Sequence, residues 1–365
     1  MMALALLLSF VSGFIALSYE IVWYRAFSIG MSGRAQAFAL LLVGYLTGIA
    51  LGSWLSRRVC EGAAPTRRAI YALAASVFVG NVLGFMFVPW LADLMTWPRP
   101  WMPSVGLLIV TVTGLGSVFP LVAQMSIPQR SAVGRQFSYV YAANILGSTF
   151  GSVVTGFVLL DRMTAAQVTT WLGIAGMASA AGIVAIARPT RRAMAVAGLA
   201  CVLAAGGMWR SSAALFDGVY EKFIFMRQYQ PGERFAHVIE TRSGVVAVTQ
   251  DAVIYGGGVY DGVVNTDLRH DERNAVHRPY MVGALHPKPR RVLLVGLGGG
   301  SWAAVLAHHP EVEHVTVVEI DAGHLKLLTY YPEMVQLLSN PKVTIELDDI
   351  RRWLARHPKE RFDLV

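Results

Sequence analysis

Four glycines and one acid stand at a spacing that suits nucleoside recognition. In RRVLLVGLGGGSWAAVLAHHPEVEHVTVVEID, the stretch that begins at Arg291, the branched apolar run 292–295 reads as a buried strand. It is followed by Gly296, Gly298, Gly299 and Gly300, and then by a helix expected over 302–308. Glycines at a strand-to-helix turn let the main chain come close to a nucleotide. An acid about 20 residues further on can accept hydrogen bonds from ribose hydroxyls. Glu319, at the end of a second expected strand over 315–320, stands at that distance. Gly296, Gly298, Gly300 and Glu319 are therefore the candidate nucleoside-binding residues. The alternative for Glu319 is a helix cap. Ser301 occupies the place where a dinucleotide fingerprint has its third glycine, so a dinucleotide is not favoured.

The elements that must hold this turn follow from the surrounding pattern. Short alternating runs over 235–265 (AHVIETRSG, VVAVTQD, AVIYGGG, VYDGVVN) predict a small antiparallel sheet. A helix is expected over 267–285, with His277, Pro279 and Tyr280 inside it, and a second over 322–338, interrupted at Pro332. A third strand over 343–347 ends in Asp348-Asp349, which either serve the site or cap the helix expected over 350–357. A fourth strand opens at 362–365. His308, His309 and His314 have no acids at metal-ligand spacing, and no metal site is expected.

The first 210 residues are of another kind. They hold 14 Arg, no Lys and four acids, whereas residues 211–365 hold 17 Lys plus Arg against 19 acids. The net charge of +8 thus originates wholly in the first part, where the arginines flank apolar runs. That pattern speaks for membrane topology and against a nucleic-acid partner, which needs a basic face on the soluble part. Seven apolar stretches, near 3–23, 36–55, 69–91, 104–126, 137–160, 166–187 and 193–209, approach the length of about 20 residues that spans a bilayer. The first lacks a preceding basic residue and a small-residue cleavage site, so it reads as a retained helix. Gly44, Gly48 and Gly52, and again Gly147 and Gly151, fall on single helix faces and suit close helix packing or a substrate path. Asn81 and Asn144 are expected to donate hydrogen bonds between helices. Cys60 and Cys201 imply no disulfide framework.

Nine arginines lie in the loops after the second, fourth and sixth stretches and four in those after the first, third and fifth. The positive-inside rule then sends the soluble part across the membrane if all seven stretches cross. The seventh has only 17 residues; lying in the interface, it would leave the soluble part in the cytoplasm, which suits a cytosolic nucleoside. A multi-pass protein of the cell membrane with a cytoplasmic soluble part is the expectation.

In the order and spacing of its motifs the chain resembles the spermidine synthase (polyamine aminopropyltransferase) family, in the form fused to an N-terminal multi-pass membrane region. The residues that carry the resemblance are YDGVVN, DERNAVHRP, VLLVGLGGGS, VEID, LDDI and RFDLV, with SGFIALSYEIVWYR, GYLTGIALGSWLSRR and YAANILGSTFGSVVTGFVLL in the membrane part. The resemblance implies aminopropyl transfer from decarboxylated S-adenosylmethionine, a co-substrate rather than a resident cofactor, to a polyamine. It also implies that Glu319 binds the ribose, that Asp349 sits near the adenine and that His277 helps line the site. Four positions depart from the family: Gly299 for an acid, Val276 for tyrosine, Arg278 for glutamate and Asn265 for glutamine. The family's catalytic aspartate follows the fourth strand, hence lies past Val365, so no catalytic residue is assigned and a truncated, impaired form is expected.

The sequence thus predicts three parts. An all-α transmembrane bundle of about seven helices occupies 1–210 and a small antiparallel β subdomain 211–285. A truncated α/β Rossmann-like domain of the S-adenosylmethionine-dependent methyltransferase type occupies 286–365. The expected partners are a polyamine, an adenosyl nucleoside and the lipid bilayer, with self-association into a homo-oligomer left open. A methyltransferase, or a polyamine transporter or sensor without enzymatic activity, are the rival functions.

Overall fold

A computed structural model describes residues 2–60, 67–126, 133–187, 189–269 and 274–365. Contacts divide the chain into two compact units, Met1–Pro231 and Gly232–Val365.

The first unit is helical throughout its regular elements. In chain order they are α1 (Met2–Gly30), α2 (Gln36–Cys60), α3 (Arg67–Met95), α4 (Trp101–Gly116), α5 (Val118–Ser126), α6 (Val133–Val154), α7 (Leu160–Arg162), α8 (Ala165–Ile186), α9 (Arg191–Phe216) and α10 (Val219–Phe225). A π-turn over Thr155–Leu159 joins α6 to α7. Seven segments are long and apolar enough to cross a membrane, each 22 to 30 residues, with Trp101–Met125 and Val133–Arg162 counted as single spans. Six of them are longer than the apolar runs, the sixth in chain order being of equal length, because flanking residues still satisfy their backbone by continuing the helix. The seventh is the clearest case. It runs 26 residues, Arg191–Phe216, rather than 17, so its length no longer argues for an interfacial position.

Glycines set the helix contacts. A methyl group at Gly44 would lie 2.6 Å from Leu108 on α4, and one at Gly147 or Gly151 would lie 2.0 Å from the Phe10 carbonyl oxygen or 2.3 Å from that of Phe14 on α1. These faces are packing surfaces that bring helix backbones together. Asn81 corrects the sequence reading: its amide donates to the carbonyl of Val77 one turn back in α3. It lies flat because Gly176 of α8 leaves the space, a methyl there standing 2.1 Å from Asn81 Cγ. The bond between helices runs the other way, from the Tyr19 hydroxyl to the backbone oxygen of Asn81. Residues 211–231, assigned by sequence to the β-rich part, instead complete α9 and form α10, which packs on α1 and α3.

The second unit begins with an antiparallel meander, β1 (His237–Glu240), β2 (Val245–Val248), β3 (Val253–Gly256) and β4 (Val259–Val263), in that order. Two short helices follow, α11 (His277–Tyr280) and α12 (Val282–Leu285), where the sequence suggested one helix from 267; residues 270–273 lie outside the described residues. Then come β5 (Arg291–Val295), α13 (Ser301–His308), β6 (His314–Glu319), α14 (Ala322–Leu328), α15 (Pro332–Leu338), β7 (Val343–Leu347) and α16 (Ile350–Arg356). Pro332 divides α14 from α15 because it suits a helix start and not an interior.

Strands β5, β6 and β7 pair in parallel in chain order, while Leu364 bridges Val292 in parallel on the other edge of β5. Strand order therefore reverses at β5, the place where open parallel sheets form a crevice at their carboxyl ends. Both faces of β5 and β6 are covered, as continuous apolar strands require. Val292, Val315 and Val317 join Val246, Ile254, Leu306 and Leu327 in one core, and Leu293 and Val318 pack against Trp353 of α16 on the other side.

Candidate functional site

The glycine turn sits at the carboxyl end of β5. Gly296, Gly298 and Gly300 have φ of +90°, +52° and +79°, values that side-chain-bearing residues avoid, so the turn depends on glycine at these three positions. Gly299 is glycine for a different reason. A methyl there would lie 2.7 Å from Ile254 Cδ1 and 3.2 Å from Val264 Cγ2, so a side chain at this position would have to displace apolar side chains of the meander.

Glu319 ends β6 and is only 4% exposed. Its Oε2 accepts from the Leu297 amide at 2.6 Å and its Oε1 from the Asp321 amide at 2.8 Å. A buried carboxylate needs such donors, and here they fix it to the glycine turn on one side and to its own chain on the other. It does not cap the next helix. Asp321 does so, accepting from the Gly323 amide at 2.8 Å and from the Thr241 hydroxyl at 2.6 Å.

Beneath the meander these groups line a cleft of about 800 Å³, within the range of small-molecule sites. Gly296, Gly298, Gly299 and Glu319 lie on its wall with Ser243, Tyr260, Asp261, Asn274, Trp302, Asp321 and His324. Ile320 and Val295, both more than half exposed, add apolar surface at the strand ends. Ser301 holds the start of α13 in place: its hydroxyl donates to the Val263 carbonyl at 3.0 Å and accepts from the Asn265 amide at 3.1 Å. Asp261 brings a second negative charge. Burial pushes its carboxyl above the ordinary range, His324 opposes this, and the charges of Glu319 and Asp321 add to it.

Two expected residues are placed elsewhere. Asp349 is the N-cap of α16, accepting from the Arg351 amide at 2.8 Å and paired with the Arg351 guanidinium at 2.7 Å. Those contacts, the guanidinium hydrogen bond first, hold its carboxyl well below the usual range, and it is not among the cleft-lining residues. His277 opens α11 with its side chain exposed, and it too is absent from the lining. Gly300 shapes the turn and caps α13 without lining the cleft. Sequence reasoning missed Asp261, Asp321 and His324. The first two stood inside the quoted motifs YDGVVN and VEID, whereas His324 carried no signal beyond its position early in the next helix.

The family model that describes a spermine/spermidine synthase domain matches residues 276–365, from the buried Val276 through the glycine turn and Glu319 to the Leu364 bridge. This stretch is similar to a spermine/spermidine synthase domain. The likeness extends beyond this domain. The chain is 26% identical to polyamine aminopropyltransferase 2 of Ralstonia nicotianae, over 96% of this chain and 69% of that protein. It is also 26% identical to polyamine aminopropyltransferase 1 of the same organism, over 96% and 67%. A polyamine aminopropyltransferase of Desulforudis audaxviator is 36% identical over 29% of this chain and 39% of its own length. At 96% of this chain, the two Ralstonia nicotianae alignments take in the helical unit as well.

Proposed function

We propose that the protein is a membrane-anchored aminopropyltransferase whose Rossmann-like cleft holds decarboxylated S-adenosylmethionine. One observation carries the reading: the positive-φ glycine turn and the buried acid at the end of the neighbouring strand face a single cleft in a spermine/spermidine synthase domain. Glu319, already oriented by two amides, keeps lone pairs for ribose hydroxyls. Ile320 and Val295 offer the nucleobase an apolar wall. In the reaction a neutral amine nitrogen of the polyamine attacks the methylene carbon bonded to the sulfonium. The C–S bond breaks with its electron pair leaving on sulfur, methylthioadenosine departs, and the new secondary ammonium gives up a proton. Alignment and an acidic surround are what the chain supplies; Asp261 and Asp321 provide the charge.

The glycine at position 299, where relatives of this type carry an acid, favours ordinary S-adenosylmethionine as a second reading. The two separate in one assay. Full-length protein in detergent, given putrescine or spermidine, is expected to move label from decarboxylated S-adenosylmethionine into the polyamine. Label moving only from the methyl group of S-adenosylmethionine would establish a methyltransferase instead, and no nucleoside binding of either kind would end both readings.

Anchoring rests on the seven long apolar helices. A crossing α9, which its length allows, sets the arginine-rich loops and the residues after Phe216 on opposite faces of the bilayer, the alternative to the cytoplasmic expectation. Alkaline phosphatase fused after Val365 should then be active in cells and a green fluorescent protein fusion dark. The reverse pattern would return the domain to the cytoplasm.

A further inference from the structure

His324, in the first turn of α14, has both ring nitrogens against oxygen. Nδ1 lies 3.1 Å from the carbonyl of Gly298 in the glycine turn, and Nε2 lies 3.2 Å from Oδ2 of Asp261 on β4. A carbonyl only accepts, so Nδ1 carries a hydrogen. An ionised carboxylate also only accepts, so the second contact is a hydrogen bond only if one more proton sits on Nε2 or on Asp261. The ring is 7% exposed and Asp261 43%, so water can replace little of what the ring would lose.

The two oxygens belong to the two walls of the cleft. Asp261 follows the Gly257-Gly258 turn of the meander, and Gly298 is the middle of the nucleoside turn. The walls touch there, a methyl at Gly298 standing 3.3 Å from the Asp261 carbonyl oxygen. We propose that His324 is a positioning residue of the cleft, fastening the β3–β4 hairpin to the glycine turn through one proton shared with Asp261. When that proton leaves, lone pairs of Nε2 and Oδ2 face each other and the two walls are released.

The groups that face the pair are Glu319 and Asp321 at the end of β6, both negative and both favouring retention of the proton. Of the other elements packed on α14, β2 carries no titratable side chain. β1 carries His237, stacked on Tyr330, and Glu240, and α15 carries the exposed Glu333. Lys326, on α14 itself, is exposed.

Which nucleoside occupies the cleft belongs to the proposed function; the fastening is testable without it. Hydrogen exchange of full-length, unliganded protein in detergent, corrected for intrinsic rates, should show protection at 254–262 and 295–301 falling roughly tenfold or more from about pH 5.5 to about pH 8.5. His324→Gln keeps a donor for Asp261 that does not titrate, so its protection should stay level across that range. His324→Leu should be unprotected throughout. A flat wild-type profile, or a glutamine variant that follows the wild type, overturns the proposal even if the leucine variant does not fold. A second arm measures methylthioadenosine by calorimetry: affinity should fall by about the same factor over the same range in wild type and not in His324→Gln. Absence of binding at every pH would sink the functional reading alone, because the exchange profiles decide the fastening independently.

Discussion

Glu319→Ala is expected to abolish most nucleoside binding and to loosen the second unit at the same time. The carboxylate is buried and accepts from two amides, Leu297 and Asp321. Removing it leaves both N–H groups without their acceptor, at a cost of about 1–3 kcal/mol for each unsatisfied group. The glycine turn then loses the contact that aims it. Affinity for methylthioadenosine should drop by roughly 1–3 kcal/mol, about fivefold to 150-fold, with the contact to ribose gone. Glu319→Gln separates the two roles. Its single carbonyl oxygen can accept from one amide, and its NH₂ then faces the other, so stability should fall even where the side chain still reaches the ligand. Calorimetry on the folded fraction, beside thermal unfolding, distinguishes them. Unchanged affinity in Glu319→Ala with unfolding shifted down would leave Glu319 a purely structural acid and remove it from the site.

The largest effect expected in the helical unit is at the α1–α6 contact. Alanine at Gly147 would place its methyl 2.0 Å from the Phe10 carbonyl oxygen, and at Gly151 2.3 Å from that of Phe14. Neither obstacle is a side chain that can turn aside, so the helices must separate along their length. Overpacking of this kind costs about 1–3 kcal/mol per site in a packed core, and the double variant should not retain the native bundle. Gly182→Ala on α8 meets nothing within 4 Å and gains up to about 1 kcal/mol of helix propensity. Thermal unfolding in detergent that failed to rank Gly147→Ala far below Gly182→Ala would show that α1 and α6 do not pack in this way.

Much of this fold can be read directly from residue order. The long apolar helices are visible because uninterrupted apolar runs of that length stand out in the sequence, and the glycine turn because strand, glycines and acid follow in fixed order. What escaped has particular causes. Helix ends are set by backbone hydrogen bonding, to which polar residues contribute as well as apolar ones; hence Arg191–Phe216 is nine residues longer than the apolar stretch 193–209 suggested. Asp349 and Asp321 both precede helices, and that position alone does not tell which faces the cleft. The deciding partners are Arg351 for one and Thr241 for the other, the latter distant in the chain. The contact between Asp261 and His324 joins a strand of one sheet to a helix flanking the other, and such pairings leave no periodic trace. Gly299 looked like a lost acid when read alone. Beside Ile254 and Val264 it lets two apolar side chains of the meander close on the turn.

Helix α13 starts on Gly300, where among the described residues no side chain accepts a hydrogen bond from its opening amides. Ser301, the nearest hydroxyl, is committed to β4 and the residue after it. The first turn of the helix is therefore held by its own leading side chain to the meander, and not by a cap on its amides. A change of hydroxyl at Ser301 would reach the hairpin and the helix together, since one oxygen ties both.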